Sequence, residues 1–332
     1  MFLDMLLLLV GLALLTKGGG MFVAAAVRMA EFLRLPRVVI GSTLVSLATT
    51  MPELVVSVMA AARGNADLAV GNAVGSCVCN IGLILGLTAT IRRVDIHPRA
   101  LRTALLTMAG LGVGLFLLTL DLSLERWQGM VLLVAGVAYF AYDLIDAARQ
   151  RKPAEIAEAT SIGAASTQGL AWFATRPGTV FQFALAAGLV VVASRLLVDA
   201  AVNLAGTLGI PPLVIGLTVV ALGTSLPELV TAIGSARRNV SDLSVGNILG
   251  ANIANLSLVI GVAAVLTPVT MSRLTQIFDF PAMLALMGLL VWSLLTQHRL
   301  TRREGVILLV SYAAYIAAVV ILAIQEHGQP LP

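Results

Sequence analysis

The chain has 332 residues, of which 59% are hydrophobic and 11% charged, with a formal net charge of +4. Soluble domains carry roughly 25% charged residues, so a water-soluble globular fold is excluded. The basic residues sit in short clusters between apolar runs of membrane-spanning length, which marks them as topology signals and not as a nucleic-acid surface.

The apolar runs predict an all-α polytopic membrane protein with ten transmembrane helices, at residues 3–29, 38–62, 67–90, 100–120, 127–148, 178–203, 212–236, 242–266, 279–297 and 304–324. Strand-length alternation of apolar and polar residues, the mark of a membrane barrel, is missing. The N-terminal run lacks a basic leader, carries Asp4 and continues into more apolar sequence, so it reads as a retained first helix. Basic residues concentrate in the odd-numbered connections, such as Arg92, Arg93 and Arg99, or Arg299, Arg302 and Arg303. Basic loops stay in the cytoplasm, so both termini are expected outside a prokaryotic inner membrane. The stretch 149–177 is the one long polar connection and is expected to be a cytoplasmic linker between halves 1–148 and 178–332.

Shifting the chain by 175 residues superposes 36–86 on 211–261 without a gap, and 23 of those 51 positions are identical. The matches include Thr49/Thr224, Pro52/Pro227, Glu53/Glu228, Asp67/Asp242 and Asn72/Asn247. Chance similarity of apolar helices would match Leu, Val and Ala, not Pro, Glu and Asn in register. Each half holds five spans, an odd number, so the repeats are expected to be inverted, as in many secondary transporters.

The repeated core is "TTMPEL" and "TSLPEL". Proline has no N–H for the carbonyl four residues back, so Pro52 frees the carbonyl of Ala48 and Pro227 that of Gly223. Helices 2 and 7 are therefore expected to break there. Thr49, Thr50, Thr224 and Ser225 add hydroxyls at the break, and Glu53 and Glu228 lie about one turn on. Carboxylates, hydroxyls and bare carbonyls are hard oxygen ligands, suited to Ca²⁺ and Na⁺. An ionised acid at the centre of a membrane helix costs about 2.5–3.5 kcal/mol, and no Lys or Arg neighbours either Pro-Glu, so a mobile cation is the expected partner. "GNAVGSCVCNIG" and "GNILGANIANLS" follow, with glycines for close helix packing and Ser76, Asn80, Asn247, Asn252 and Asn255 as polar groups in an apolar setting. Asn72 and Asn247 suit bridging the opposite backbone as well as ligation. Cys77 and Cys79 read as small packing residues.

On these motifs the chain resembles the cation/Ca²⁺ exchanger superfamily, specifically its prokaryotic Na⁺/Ca²⁺ exchangers, whose two alpha-repeats look like 36–86 and 211–261. The resemblance implies a cluster of cation sites between the repeats, with Glu53 and Glu228 central. Thr49, Thr50, Thr224 and Ser225 would add hydroxyls or carbonyls, Ala48 and Gly223 carbonyls, and Ser76, Asn80 and Asn255 further oxygens. It also implies that spans one and six slide over the other eight. Three places depart from the family pattern: Thr50-Met51 stands where Ser-Leu is usual, which keeps the hydroxyl, Ala251 where a Ser commonly mirrors Ser76, and Asn255 where Asp is frequent.

The expected activity is therefore antiport of Na⁺ against Ca²⁺ by alternating access. No cofactor is expected, the transported ions being Ca²⁺ and Na⁺, and the partners are the lipid bilayer and these ions, with no nucleic acid and no obligate protein partner. A proton-coupled divalent-cation antiporter and, from another class, a cation channel are the alternatives. An enzyme is not expected. The intramembrane protease patterns of paired Asp or His-Glu-x-x-His are missing, and His97, His298 and His327 fall in loops or the tail.

Overall fold

The computed structural model describes residues 2–62, 66–95, 98–149, 171–207, 221–297 and 299–327. The helices are α1 (Phe2–Leu33), α2 (Arg37–Thr49), α3 (Met51–Ala62), α4 (66–91), α5 (Pro98–Leu118) and α6 (Arg126–Arg149). There follow α7 (Arg176–Thr207), α8 (Ala221–Thr224), α9 (Leu226–Arg237), α10 (Ser241–Leu266), α11 (275–297) and α12 (Arg302–His327). Eight are long and apolar enough to cross a membrane, and α2 with α3, bent 44° at their join, make a ninth span. The tenth expected span, 212–236, is seen as α8 and α9, and its opening residues lie outside the described ones. So do residues 150–170 of the expected linker.

The helices stop where the sequence says they must. Arg34 takes a positive φ of 53° after α1, its N–H and that of Leu35 closing on Glu31 and Ala30, and Pro36 then bars continuation. Asn239 at φ 62° ends α9 in the same way, with Val240 bonding back to Ser235. The entry to α12 is a capping box, Glu304 Oε2 accepting from both the backbone and the hydroxyl of Thr301 at 2.7 and 2.8 Å.

Two helices form the middle of the molecule. The spanning windows of α4 and α10 are 72% and 83% buried, against 17–39% for the other long spans, which expose Leu, Val, Ile and Trp to the surroundings. Glycine makes the close contacts: a β-carbon at Gly250 would stand 2.2 Å from the carbonyl oxygen of Ser42, and one at Gly246 2.1 Å from that of Val38. Helix α10 is thus packed backbone to backbone on α2.

Two short ribbons close the ends. β1 (Val94–Asp95) pairs antiparallel with β4 (Arg299–Leu300), and β2 (Ser123–Leu124) with β3 (Val269–Thr270). β1 and β2 flank α5, so the ribbons lie at opposite ends of the helical body. The 175-residue shift carries β1 onto β3 and Leu124 onto Arg299, so each ribbon is the counterpart of the other.

Helices α1 and α7 run against each other and cover the centre. Leu15, Val190 and Ala193 are buried with Leu226 and Val230 packed on them. A β-carbon on Gly19 would meet Val230 Cγ1 at 1.9 Å, so the run Gly18–Gly20 brings α1 directly onto α9.

Candidate cation site

The site grows from two interruptions. In the first half α2 ends at Thr49, Thr50 sits at the corner, and α3 starts at Met51 with Pro52 second. In the second, α8 ends at Thr224, Ser225 is the corner and Pro227 is second in α9. Thr50 N–H still reaches Ser46, and Leu54 and Leu229 N–H reach the carbonyls of Thr50 and Ser225. The ladder resumes on either side, and the missing bonds are those to Ala48 and Gly223, whose fourth-following residue is proline.

The four corner hydroxyls cross between the halves. Thr50 donates to Glu228 Oε1 at 3.5 Å, and Ser225 donates to Glu53 Oε1 at 3.4 Å. Thr49 donates to Asn247 Oδ1 at 3.2 Å, and Thr224 to Asn72 Oδ1 at 3.5 Å. Each contact of one pair maps onto the other under the 175-residue shift. These distances exceed the ~2.7–2.8 Å of a close O–H···O bond, so the oxygens are gathered but spaced.

Burial is nearly complete: Glu53 is 0% exposed and Glu228 1%. Among the described residues no basic side chain is seen to pair with either; an ion pair, Arg37–Asp242 at 3.2 Å, involves neither acid. Glu53 Oε2 and Glu228 Oε2 have no hydrogen-bond partner, and neither has Asn80 Oδ1 nor either amide atom of Asn255. Ser76 is also buried, and Gly223 is buried while Ala48 is half-buried.

Asn72, which sequence alone left between bridging and ligation, bridges: its amide donates to the carbonyl of Glu53 at 3.3 Å and to Ser57 Oγ at 3.0 Å. Asn252 has a larger part than its sequence signal suggested. Its Oδ1 accepts from Asn80 at 3.0 Å, linking α4 to α10. In the repeat comparison it stands opposite Cys77, which hid it. Both cysteines are buried and free, and Cys77 contacts the Asn252 carbonyl at 3.9 Å.

Chemically, two carboxylates, several hydroxyls and amide oxygens, and two proline-freed carbonyls are hard oxygen donors. No group of three or more His, Cys, Asp or Glu capable of holding a metal occurs among the described residues. The donor set therefore relies on neutral oxygens around two charges.

Comparison with known proteins gives a consistent picture. The family model "Sodium/calcium exchanger protein" matches residues 3–144 and 178–321. The chain is 36% identical to "Inner membrane protein YrbG" of Escherichia coli over 94% of this chain and 95% of that protein. It is 30% identical to "Sodium/calcium exchanger MaX1" of Methanosarcina acetivorans over 94% and 97%. Its fold matches the solved structure of the sodium-calcium exchanger NCX_Mj soaked with zero Na⁺ and Ca²⁺, with a TM-score of 0.81 at 27% identity over 96% of this chain and 99% of that one. The protein is a multi-pass membrane protein, and it belongs to the sodium/calcium exchanger protein family.

Proposed function

We propose that the protein exchanges Na⁺ for Ca²⁺ across the membrane, with Glu53 and Glu228 as the paired carboxylates of a shared cation site. The observation that carries this is the state of the two acids. Each is buried, keeps one oxygen near a hydroxyl of the opposite half, and has its second oxygen without a protein partner. A buried carboxylate with neither a cation nor hydrogen bonds to satisfy it is costly. A Ca²⁺ between the two would neutralise both, and several Na⁺ sharing the same oxygens would compete with it. The hydroxyls of Thr49, Thr50, Thr224 and Ser225, the carbonyls of Ala48 and Gly223, and Ser76, Asn80 and Asn255 complete the donor set.

The pair α1 and α7 would supply alternating access. Their apolar face, with Leu15, Val190 and Ala193, lies on Leu226 and Val230, next to the start of the helix that carries Glu228. Sliding this face past two uncompensated carboxylates is unfavourable, and past a neutralised site it is not. The arrangement thus favours movement with ions bound and suppresses leak. The two halves, 1–148 and 178–332, act as inverted repeats around the site, with both termini outside.

The test uses liposomes loaded with Na⁺ and diluted into Na⁺-free buffer with labelled Ca²⁺. Na⁺-driven uptake that disappears in Glu53→Gln and in Glu228→Gln is expected. Uptake that follows an acid-inside pH gradient and ignores Na⁺ would replace this reading with proton coupling, and uptake unchanged in both variants would remove the carboxylates from the site.

A further inference from the structure

One acid inside a spanning helix takes no part in the site built on Glu53 and Glu228. Asp143 lies on α6, six residues before its end at Arg149, or about 9 Å along the helix axis, and is half-buried. Ionisable residues within membrane helices are rare and mark functional positions. Its Oδ2 accepts from the Ser42 hydroxyl of α2 at 2.6 Å, the short distance of a charge-assisted bond. Tyr139, one turn earlier on the same face of α6, sets its hydroxyl beside both groups. Tyr139 is 5% exposed, and its hydroxyl is hydrogen-bonded to neither.

Backbone contacts hold the three groups in place. A β-carbon on Gly136 would stand 2.3 Å from Ser257 Oγ, so α6 presses on α10 one turn before Tyr139. Helix α10 in turn presses through Gly250 on the carbonyl of Ser42, which is itself buried. A buried hydroxyl without a partner is costly, so its place beside a carboxylate needs a reason. The charged residue next to Asp143 on the helix, Asp146, has the same sign. The 175-residue shift puts Leu217, Ala314 and Ala318 in place of Ser42, Tyr139 and Asp143. The cluster therefore has no counterpart in the second half and is no part of the repeated site.

We infer that Asp143, Tyr139 and Ser42 bind one monovalent alkali cation, in a site separate from that of Glu53 and Glu228. The carboxylate supplies the charge. The phenol oxygen and the Ser42 oxygen, whose proton is given to Asp143, supply neutral hard donors, and water on the half-exposed side of Asp143 completes the shell. One carboxylate matches one positive charge. Ca²⁺ takes roughly 6–8 oxygens and would keep an uncompensated charge here. The bound cation ties α6 to α2, the helix that ends at Thr49.

The experiment measures the thermal midpoint of purified full-length protein in neutral detergent, with NaCl, KCl or CaCl₂ against N-methylglucamine chloride of equal ionic strength. The parent carries Glu53→Gln/Glu228→Gln, so that the paired carboxylates do not contribute; should it not fold, the comparison is made with both glutamates in place. Na⁺ or K⁺ is expected to raise the midpoint, and the ion that does so at lower concentration is the occupant. Tyr139→Phe keeps the ring and removes one donor, and should raise the half-saturating concentration by about tenfold. Asp143→Asn should abolish the response. Midpoints in N-methylglucamine check that each variant folds, and should Asp143→Asn not fold, Tyr139→Phe carries the test. An alkali-ion response missing from the parent, or unchanged in both variants, would overturn the site. So would a Tyr139→Phe midpoint lowered by the same amount with and without alkali ion, which would make the phenol a plain hydrogen-bond donor to Asp143. A response to Ca²⁺ and to neither alkali ion would overturn the monovalent assignment.

Discussion

The two Pro-Glu segments are nearly the same in sequence and differ in what surrounds them. Asn72 has both a backbone carbonyl and Ser57 Oγ for its amide hydrogens. Asn247, its counterpart, receives the Thr49 hydroxyl, but its amide nitrogen has no partner: Ala232 stands where Ser57 stands in the first half, and the amide makes no bond to the Glu228 carbonyl either. Ser76 faces Ala251 under the same shift, and Asn252 faces Cys77. The Pro-Glu motif fixes the carboxylates and the break, and the neighbouring helix decides which other donor atoms are present. The halves are symmetric in their two carboxylates and asymmetric in the neutral polar groups around them.

The strongest way to break this comparison is to remove one carboxylate at a time. Glu53→Gln and Glu228→Gln should each lower Na⁺-driven Ca²⁺ uptake by about 100-fold or more, since each leaves a buried Ca²⁺ with only one of the two carboxylates that would neutralise it. Similar losses would mean that both acids serve one cation. A difference above about tenfold would mean that the asymmetry in neutral ligands reaches the charges themselves.

Next come the crossing hydroxyls. Thr50→Val and Ser225→Ala each remove one contact to the carboxylate of the opposite half. In the proposed site each also removes one oxygen from the cation, and an interaction with a charged group is worth about 1.5–3 kcal/mol, so the apparent Ca²⁺ affinity in each variant should weaken by roughly tenfold or more. Equal effects would support the pseudo-twofold; an effect in one variant alone would show that one carboxylate dominates.

How much of this was legible in the sequence depends on the kind of contact. Pro52, Glu53 and their repeat stood out because lipid tolerates such residues only for a reason, and the fixed shift of 175 revealed their pairing. The membrane spans followed from composition, although α1 and α7 extend to Leu33 and Thr207, past the expected 29 and 203. The role of Asn252 was not legible, because its partner, Asn80, lies 172 residues away and its repeat counterpart is a cysteine. Nor were the π-turns at Asn80–Leu85 and Asn255–Val259, which occupy matched places in α4 and α10. Their widened turns depend on how the helices pack, and neither stretch carries a proline to announce them.

A smaller effect is expected from the outer ligands. Ser76→Ala removes a hydroxyl, and Ala251→Ser supplies the one that the second half lacks. The Na⁺ concentration giving half-maximal exchange should rise by about three- to tenfold in the first variant and fall in the second, each change corresponding to about one neutral hydrogen-bond equivalent of 0.5–1.5 kcal/mol. If Ala251→Ser leaves the Na⁺ dependence unchanged, position 251 does not face the ions and the asymmetry there is without effect on transport.

The smallest effect isolates the asymmetry from transport altogether. Ser57 accepts from Asn72 at 3.0 Å and donates to the carbonyl of Ala69 at 3.2 Å, all at a buried position. Ser57→Ala leaves part of the Asn72 amide without a partner and should cost about 1–3 kcal/mol in unfolding stability. The reverse change, Ala232→Ser, places a hydroxyl where the Asn247 amide lacks one. The gain should be at most about 1 kcal/mol, because a buried alanine site has little room for an added oxygen. The ranking is the diagnostic. If Ser57→Ala destabilises and Ala232→Ser stabilises, the amide of Asn247 is an unmet donor and the hydroxyl at Ser57 accounts for the difference between the two asparagines. If Ala232→Ser also destabilises, packing around Ala232 outweighs the bond, and the second half has traded a polar contact for a tighter helix contact between α9 and α10.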